Sequence, residues 1–207
     1  MIIKVCGMRE PENICRVEML DVDWMGFIFY KNSSRFVGTV PAYLPNRQKR
    51  VGVFVNTNKD GILLRTAAFR LDLIQLHGQE SPTFVKELHD LLPTVPLIKA
   101  FGICDSSDFQ QVLTYEGLCQ YYLFDTQCVT AGGSGKSFDW SILSAYQGST
   151  PFILSGGIGP ESLSALQNLN HPQWAGIDLN SRFETAPALK DVNLLQTFVS
   201  SVRTMLL

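Results

Sequence analysis

Short apolar runs recur along the chain at intervals of roughly 20 to 30 residues, and most are followed by a stretch whose apolar positions repeat at helical spacing. The runs predict strands at 2–5, 24–28, 50–54, 73–76, 97–100, 121–124, 152–154 and 175–178. They are almost continuously apolar rather than alternating, which fits parallel strands covered by helices. Helical spacing predicts helices over 10–20, 58–69, 139–145, 160–167 and 189–204. Ser81-Pro82 and Asp105-Ser-Ser-Asp108 add the signature of a capped N-terminus with proline or acid in the first turn. Eight β-then-α units in 207 residues correspond to the small end of the α/β class known as the (β/α)8 or TIM barrel, a single domain over 1–207. A doubly wound open sheet is the alternative. It would carry a glycine-rich fingerprint after the first strand, and Cys6-Gly-Met-Arg9 is not one.

Charge narrows the function classes. Lysine and arginine number 17 and aspartate and glutamate 19, for a net charge of −2. No long run of one sign exists, so the chain offers no electrostatic footprint for nucleic acid. No apolar stretch approaches the roughly 20 residues that span a bilayer, and a signal peptide is not recognisable, so no membrane association is expected. The five cysteines, at 6, 15, 104, 119 and 128, lack paired metal spacing and are read as unpaired thiols in a reducing cytoplasm. His89 and His171 have no partner spacing for zinc. Oligomeric state is not encoded in any such pattern, and a monomer is the default.

In a closed barrel the reactive groups gather where strands end, because the βα loops meet around one mouth. The polar residues at or just past the predicted strand ends are Cys6, Tyr30 with Arg35, Asn56, Gln75 with His77, Asp125, Ser155 with Gly156, and Asp178 with Asn180 and Ser181. A thiol, an acid and an arginine would thus share one pocket. On residue type alone, Cys6 is a small buried hydrophobe and Asp125 a turn former.

The motifs containing these residues resemble the phosphoribosylanthranilate isomerase family of tryptophan biosynthesis. Lys4-Val-Cys-Gly-Met8 is similar to its opening signature, Ser34-Arg-Phe-Val37 to a shortened form of a second, and Gln75-Leu-His-Gly78 to a third. Phe124-Asp-Thr126, then Gly132-Gly-Ser-Gly135 and Phe138-Asp-Trp140, resemble the acid-bearing strand and the glycine loop behind it. Leu154-Ser-Gly-Gly-Ile158 and Ile177-Asp-Leu-Asn-Ser-Arg-Phe-Glu184 stand where the family has its phosphate-site motifs. The likeness runs the length of the chain.

What the resemblance implies is an Amadori rearrangement of N-(5-phosphoribosyl)anthranilate, with no cofactor and no metal. Asp125 would be the general acid on the ring oxygen and Cys6 the general base at C2. Arg35 would hold the anthranilate carboxylate, with Gln75 and the more peripheral His77 as substrate contacts. Asp178 would meet a ribose hydroxyl, and Gly156, Gly157, Asn180 and Ser181 would hold the phosphate. Reference pKa values near 4 and 8.5 favour the wrong protonation states for these roles, so burial is expected to raise Asp125 and a cation, Lys4 being the candidate, to lower Cys6. The Gly132–Gly135 turn would serve as a lid.

Two positions depart from the family pattern. Arg182 stands in place of a glycine, and if that glycine takes positive φ, an arginine would cost on the order of 1 kcal/mol or need a shifted turn. Arg9 stands where threonine is common. The competing functions are another phosphosugar barrel, such as an epimerase or indole-glycerol-phosphate synthase, and a catalytically silent phosphoribosyl-binding partner. The first would need clustered metal ligands or lysine and glutamate acids in the pocket; the second would not need Cys6 and Asp125.

Overall fold

The computed structural model describes residues 1–126 and 140–205. Eight parallel strands close into a barrel in sequence order. They are β1 (Ile2–Val5), β2 (Trp24–Ile28), β3 (Lys49–Phe54), β4 (Leu73–Leu76), β5 (Leu97–Gly102), β6 (Tyr121–Asp125), β7 (Phe152–Ser155) and β8 (Trp174–Leu179). All eight predicted strands are present, several one or two residues longer than the apolar run. The helices are α1 (Pro11–Glu18), α2 (Lys59–Phe69), α3 (Pro82–Leu91), α4 (Phe109–Leu113), α5 (Leu163–Asn168) and α6 (Val192–Met205). Ser81 caps α3 by accepting from the Phe84 amide, with Pro82 in the first turn as its fixed φ favours. No described helix is long and apolar enough to cross a membrane.

Three helical predictions change form; in the segment read as a helix from 160, Pro160–Ser162 is a 3-10 turn that leads into α5. Trp140–Ala145 is a 3-10 helix rather than an α-helix, and its predicted first residue, Asp139, lies outside the described residues. The segment read as a helix from 189 instead begins with a two-strand ribbon, β9 (Glu184–Ala186) against β10 (Leu189–Lys190), and the helix starts at Val192. The glycine turn at 132–135, Cys128 and the Phe138-Asp139 pair also lie outside the described residues.

The period of two along each strand sorts the barrel interior by height. Trp24, Val51, Leu73, Ile98, Leu123 and Ile153 form an apolar plug, with Ile2 and Tyr121 packed against it. Two residues further along their strands come Lys4 on β1 and Gln75 on β4, both buried; Asp178 on β8 is buried as well. Another two residues bring Cys6 and His77 to the mouth. The outer faces of the strands pack on the helices through the larger apolar cluster that includes Ile3, Val5, Phe27, Ile74, Phe124 and Leu179. Closure matters most for chemistry, because the β1–β8 register sets Lys4 directly opposite Asp178.

Candidate active site

A cavity of about 670 Å³, open to solvent, lies at the carboxyl ends of the strands. Its lining contains Cys6, Arg35, Gln75, His77, Asp125, Gly156, Gly157, Asp178, Asn180 and Ser181, but not the strand-end residues Tyr30 and Asn56. Ile28, Val53 and Ile158 add apolar wall.

Cys6 leaves β1 with its amide bonded to the Leu179 carbonyl at 2.8 Å, so barrel closure fixes its backbone. Two glycines give the thiol its place. A Cβ on Gly26 of the neighbouring β2 would lie 2.8 Å from the Cys6 sulfur. Gly7 adopts φ +79°, which only glycine takes without strain, and a Cβ there would meet the Arg35 stem at 2.6 Å and the Asn180 amide oxygen at 2.9 Å.

Below the thiol, Lys4 Nζ donates to Asp178 Oδ2 at 2.8 Å, with side-chain exposures of 0% and 6%. Burial disfavours the Lys4 charge, but Asp178 and Cys6 beside it reverse that and push the ammonium above its ordinary range. Burial also pushes the Asp178 carboxyl up against the pull of Lys4. The expectation that Lys4 lowers the Cys6 thiol is not met in the net effect. Burial pushes the thiol up and the Asp178 carboxylate adds to it, more than Lys4 and Lys190 offset. The physical reason is that Lys4 is already spent on Asp178, so the pair presents little net positive charge to the sulfur. At rest Cys6 is a thiol.

Across the mouth, Gln75 and His77 are hydrogen-bonded side chain to side chain, Nε2 to Nδ1, at 2.8 Å. An amide that donates to Nδ1 leaves the imidazole proton on Nε2, which faces Asp125 Oδ2 at 3.7 Å. Asp125 is 28% exposed, so the burial expected to raise it is only partial. Among the described residues, two acceptors in this region have no hydrogen-bond partner: the buried Oε1 of Gln75 and Oδ1 of Asp178. Buried acceptors usually bond a protein group or ordered water, so these two are open to donors that enter the cavity.

Arg35 reaches the cavity from the long loop after β2, but its guanidinium already has a partner. Nε lies 2.9 Å from both Glu184 oxygens, and Nη2 lies 2.6 Å from Oε2. Lys190 Nζ bonds Glu184 Oε1 at 2.6 Å and Asn180 Oδ1 at 2.8 Å. Burial opposes the Glu184 charge, yet the bonds from Arg35 and Lys190 hold its carboxyl below the usual range. Sequence reading missed Glu184 and Lys190 as site residues. Glu184 closes the motif that begins at Ile177, and Lys190 was absorbed into a predicted helix.

The loops after β7 and β8 complete the mouth. Gly156 and Gly157 both take positive φ, +99° and +70°. The backbone amides of Gly156, Gly157 and Ser181 find no acceptor among the described residues, an arrangement that suits an anion. Arg182 sits exposed in the 3-10 turn Ser181–Phe183 and is not among the positive-φ residues, so its replacement of glycine carries no left-handed strain. Cys6, Cys15 and Cys119 are free thiols, but Cys104 is disulfide-bonded, against the expectation that all five are unpaired.

Comparison with known proteins agrees with this geometry. The family model for N-(5'phosphoribosyl)anthranilate (PRA) isomerase matches residues 3–201. The chain belongs to the PRA isomerase family. A curated family member from Phocaeicola vulgatus is 54% identical over 203 residues, covering 98% of each chain. The PRA isomerase structure from Thermotoga maritima superposes with a TM-score of 0.81 at 28% identity, covering 99% of this chain and 100% of that one. A second PRA isomerase structure holds reduced 1-(o-carboxyphenylamino)-1-deoxyribulose 5-phosphate, with a TM-score of 0.79, 26% identity and coverage of 99% and 100%. Nothing in the PRA isomerase assignment conflicts with the cavity, since the same mouth offers a thiol, a carboxyl and a set of open amides.

Proposed function

We propose that this PRA isomerase converts N-(5'-phosphoribosyl)anthranilate to 1-(2-carboxyphenylamino)-1-deoxyribulose 5-phosphate at the barrel mouth, with Asp125 as general acid and Cys6 as general base. Asp125 gives its proton to the furanose ring oxygen as the C1–O bond breaks, and the nitrogen lone pair forms the C1=N bond of an iminium ion. Cys6, in the thiolate form left when the resting thiol gives its proton to solvent, then takes the proton from C2. The released pair forms the C1=C2 bond, and the C=N pair returns to nitrogen, giving an enolamine. One proton is finally gained at C1 and one lost from the C2 hydroxyl, which leaves the ketone and balances the two earlier transfers.

The observation that carries this reading is that the acid and the base line one cavity with a set of glycine and serine amides that find no acceptor among the described residues. Those amides, with the Asn180 side chain, take the phosphate; the free acceptors of Gln75 and Asp178 take sugar hydroxyl donors; Arg35 takes the anthranilate carboxylate, for which its planar fork is suited. The Cys6 thiol must stay reduced to act, which supports work in the cytoplasm even though Cys104 is disulfide-bonded. The chain works as a monomer, since exposed large apolar side chains such as Leu64, Leu91 and Leu113 are dispersed over three different helices.

The test is turnover of substrate generated in place, with the product identified by mass and by its ketone. Deuterium at ribose C2 is expected to slow conversion, because that C–H bond breaks at Cys6. Ligand binding without turnover would instead favour a silent phosphoribosyl-binding partner.

A further inference from the structure

A guanidinium offers two edges for bidentate recognition, Nε with Nη2 and Nη1 with the second proton of Nη2. In Arg35 the first edge is occupied by Glu184, with contacts of 2.9, 2.9 and 2.6 Å, while Nη1 has no partner among the described residues. Glu184 is itself immobilised. Its Oε1 also accepts from Lys190 Nζ at 2.6 Å and from the Ala188 amide at 3.2 Å, and its side chain is only 4% exposed. Lys190 is held in turn by Asn180 through its ammonium, and by Asn13 of α1 through its own amide and carbonyl. The stem of Arg35 passes over Gly7, where a side chain would collide with it.

We propose that Glu184, braced by Lys190, is a positioning residue that aims the open edge of Arg35 at the carboxylate of the bound anthranilate. This rests on the assignment of Arg35 to that carboxylate. The three side chains carry a net charge of one positive unit, so the cluster attracts a carboxylate while Glu184 keeps the two cations from repelling each other. The opposite role for the same contact would make Glu184 a stand-in that the substrate carboxylate displaces. The burial of Glu184 and its two other donors argue against displacement, and the two roles predict opposite signs.

The experiment is steady-state kinetics on Arg35→Ala, Glu184→Gln and the double variant, with inorganic phosphate as a competitive inhibitor. The amide is neutral and keeps one acceptor oxygen in place of two, so the paired contact of Arg35 Nε and Nη2 cannot be kept alongside Lys190 and Arg35 loses its aim. Since misplacement near an ångström costs on the order of 100-fold, Glu184→Gln is expected to raise KM at least about 10-fold with kcat within about threefold. Inhibition by phosphate should stay within about threefold, and in the Arg35→Ala background the second change should move KM less than about twofold, because coupled residues are non-additive. An unchanged or lowered KM, effects that multiply, or equal weakening of phosphate would each overturn the proposal. Should Glu184→Gln not fold, Glu184→Asp, which keeps the charge but withdraws it by a methylene, is judged by the same criteria with a smaller rise. A wild-type KM in Arg35→Ala alone would instead remove the assignment of Arg35 on which the proposal stands.

Discussion

Gly26→Ala is the substitution whose effect follows most directly from the geometry. Gly26 lies on β2 beside the end of β1, and a Cβ there would stand 2.8 Å from the Cys6 sulfur and 3.1 Å from the Cys6 Cα. Ordinary contact begins near 3.4 Å, so the sulfur or the strand must give way by about 0.6 Å. The close backbone atom means that rotating the thiol alone does not relieve the overlap. Overpacking of this kind costs about 1–3 kcal/mol. For a chain of this size that is a fall of roughly 2–4 °C in Tm per kcal/mol. The catalytic loss is larger in proportion, because a base displaced by about an ångström loses on the order of 100-fold in rate, and a shift of half that should cost at least about 10-fold in kcat. KM should hold within about threefold, since no substrate-binding side chain has moved. The assay is the fluorescence decay of the substrate under saturating and limiting conditions, paired with thermal melting. A variant that melts like the wild type and retains more than half its kcat would refute the claim that Gly26 makes room for the catalytic sulfur.

Further predictions follow from neighbouring contacts. Lys4→Met leaves Asp178 buried without its cation and should destabilise the fold by about 3–5 kcal/mol, read from urea unfolding; a loss below about 1 kcal/mol would mean the pair is not the buried bridge described. Because burial pushes the Cys6 thiol up, the ultraviolet thiolate absorbance lost in Cys6→Ala should appear only above the ordinary thiol range, and kcat/KM should rise with pH toward it. The sign for stability is the reverse: the native state keeps that proton longer than the unfolded chain, so this contribution is complete below the unfolded thiol pKa and is lost as pH rises through the folded one. Gly7→Ala places a side chain at φ +79° and against the Arg35 stem, so it should cost at least about 1 kcal/mol and raise KM more than it lowers kcat.

The strands were legible because barrel strands are buried on both faces and so read as unbroken apolar runs, and the site was legible because strand ends converge in this architecture. The errors have physical causes as well. Lys4 looked like an activating cation because its sequence neighbour is Cys6, whereas its partner Asp178 is 174 residues away and is brought to it only by the closing register of β1 on β8. The ribbon holding Glu184 and Lys190 is too short for strand alternation to register, and the apolar residues from Leu189 onward merge with those of α6. Arg182 is tolerated because the turn takes negative φ there, a backbone detail that no residue type announces.

The central claim is that Cys6 and Asp125 are the base and acid of one reaction in one cavity. It is tested most directly by following substrate fluorescence with the wild-type protein, Cys6→Ala and Asp125→Asn under identical conditions, with folding checked by thermal melting. The account predicts rapid loss with the wild type and a fall of at least about 100-fold with either folded variant, in keeping with the usual contribution of a positioned acid or base. Turnover that survives both substitutions would contradict it.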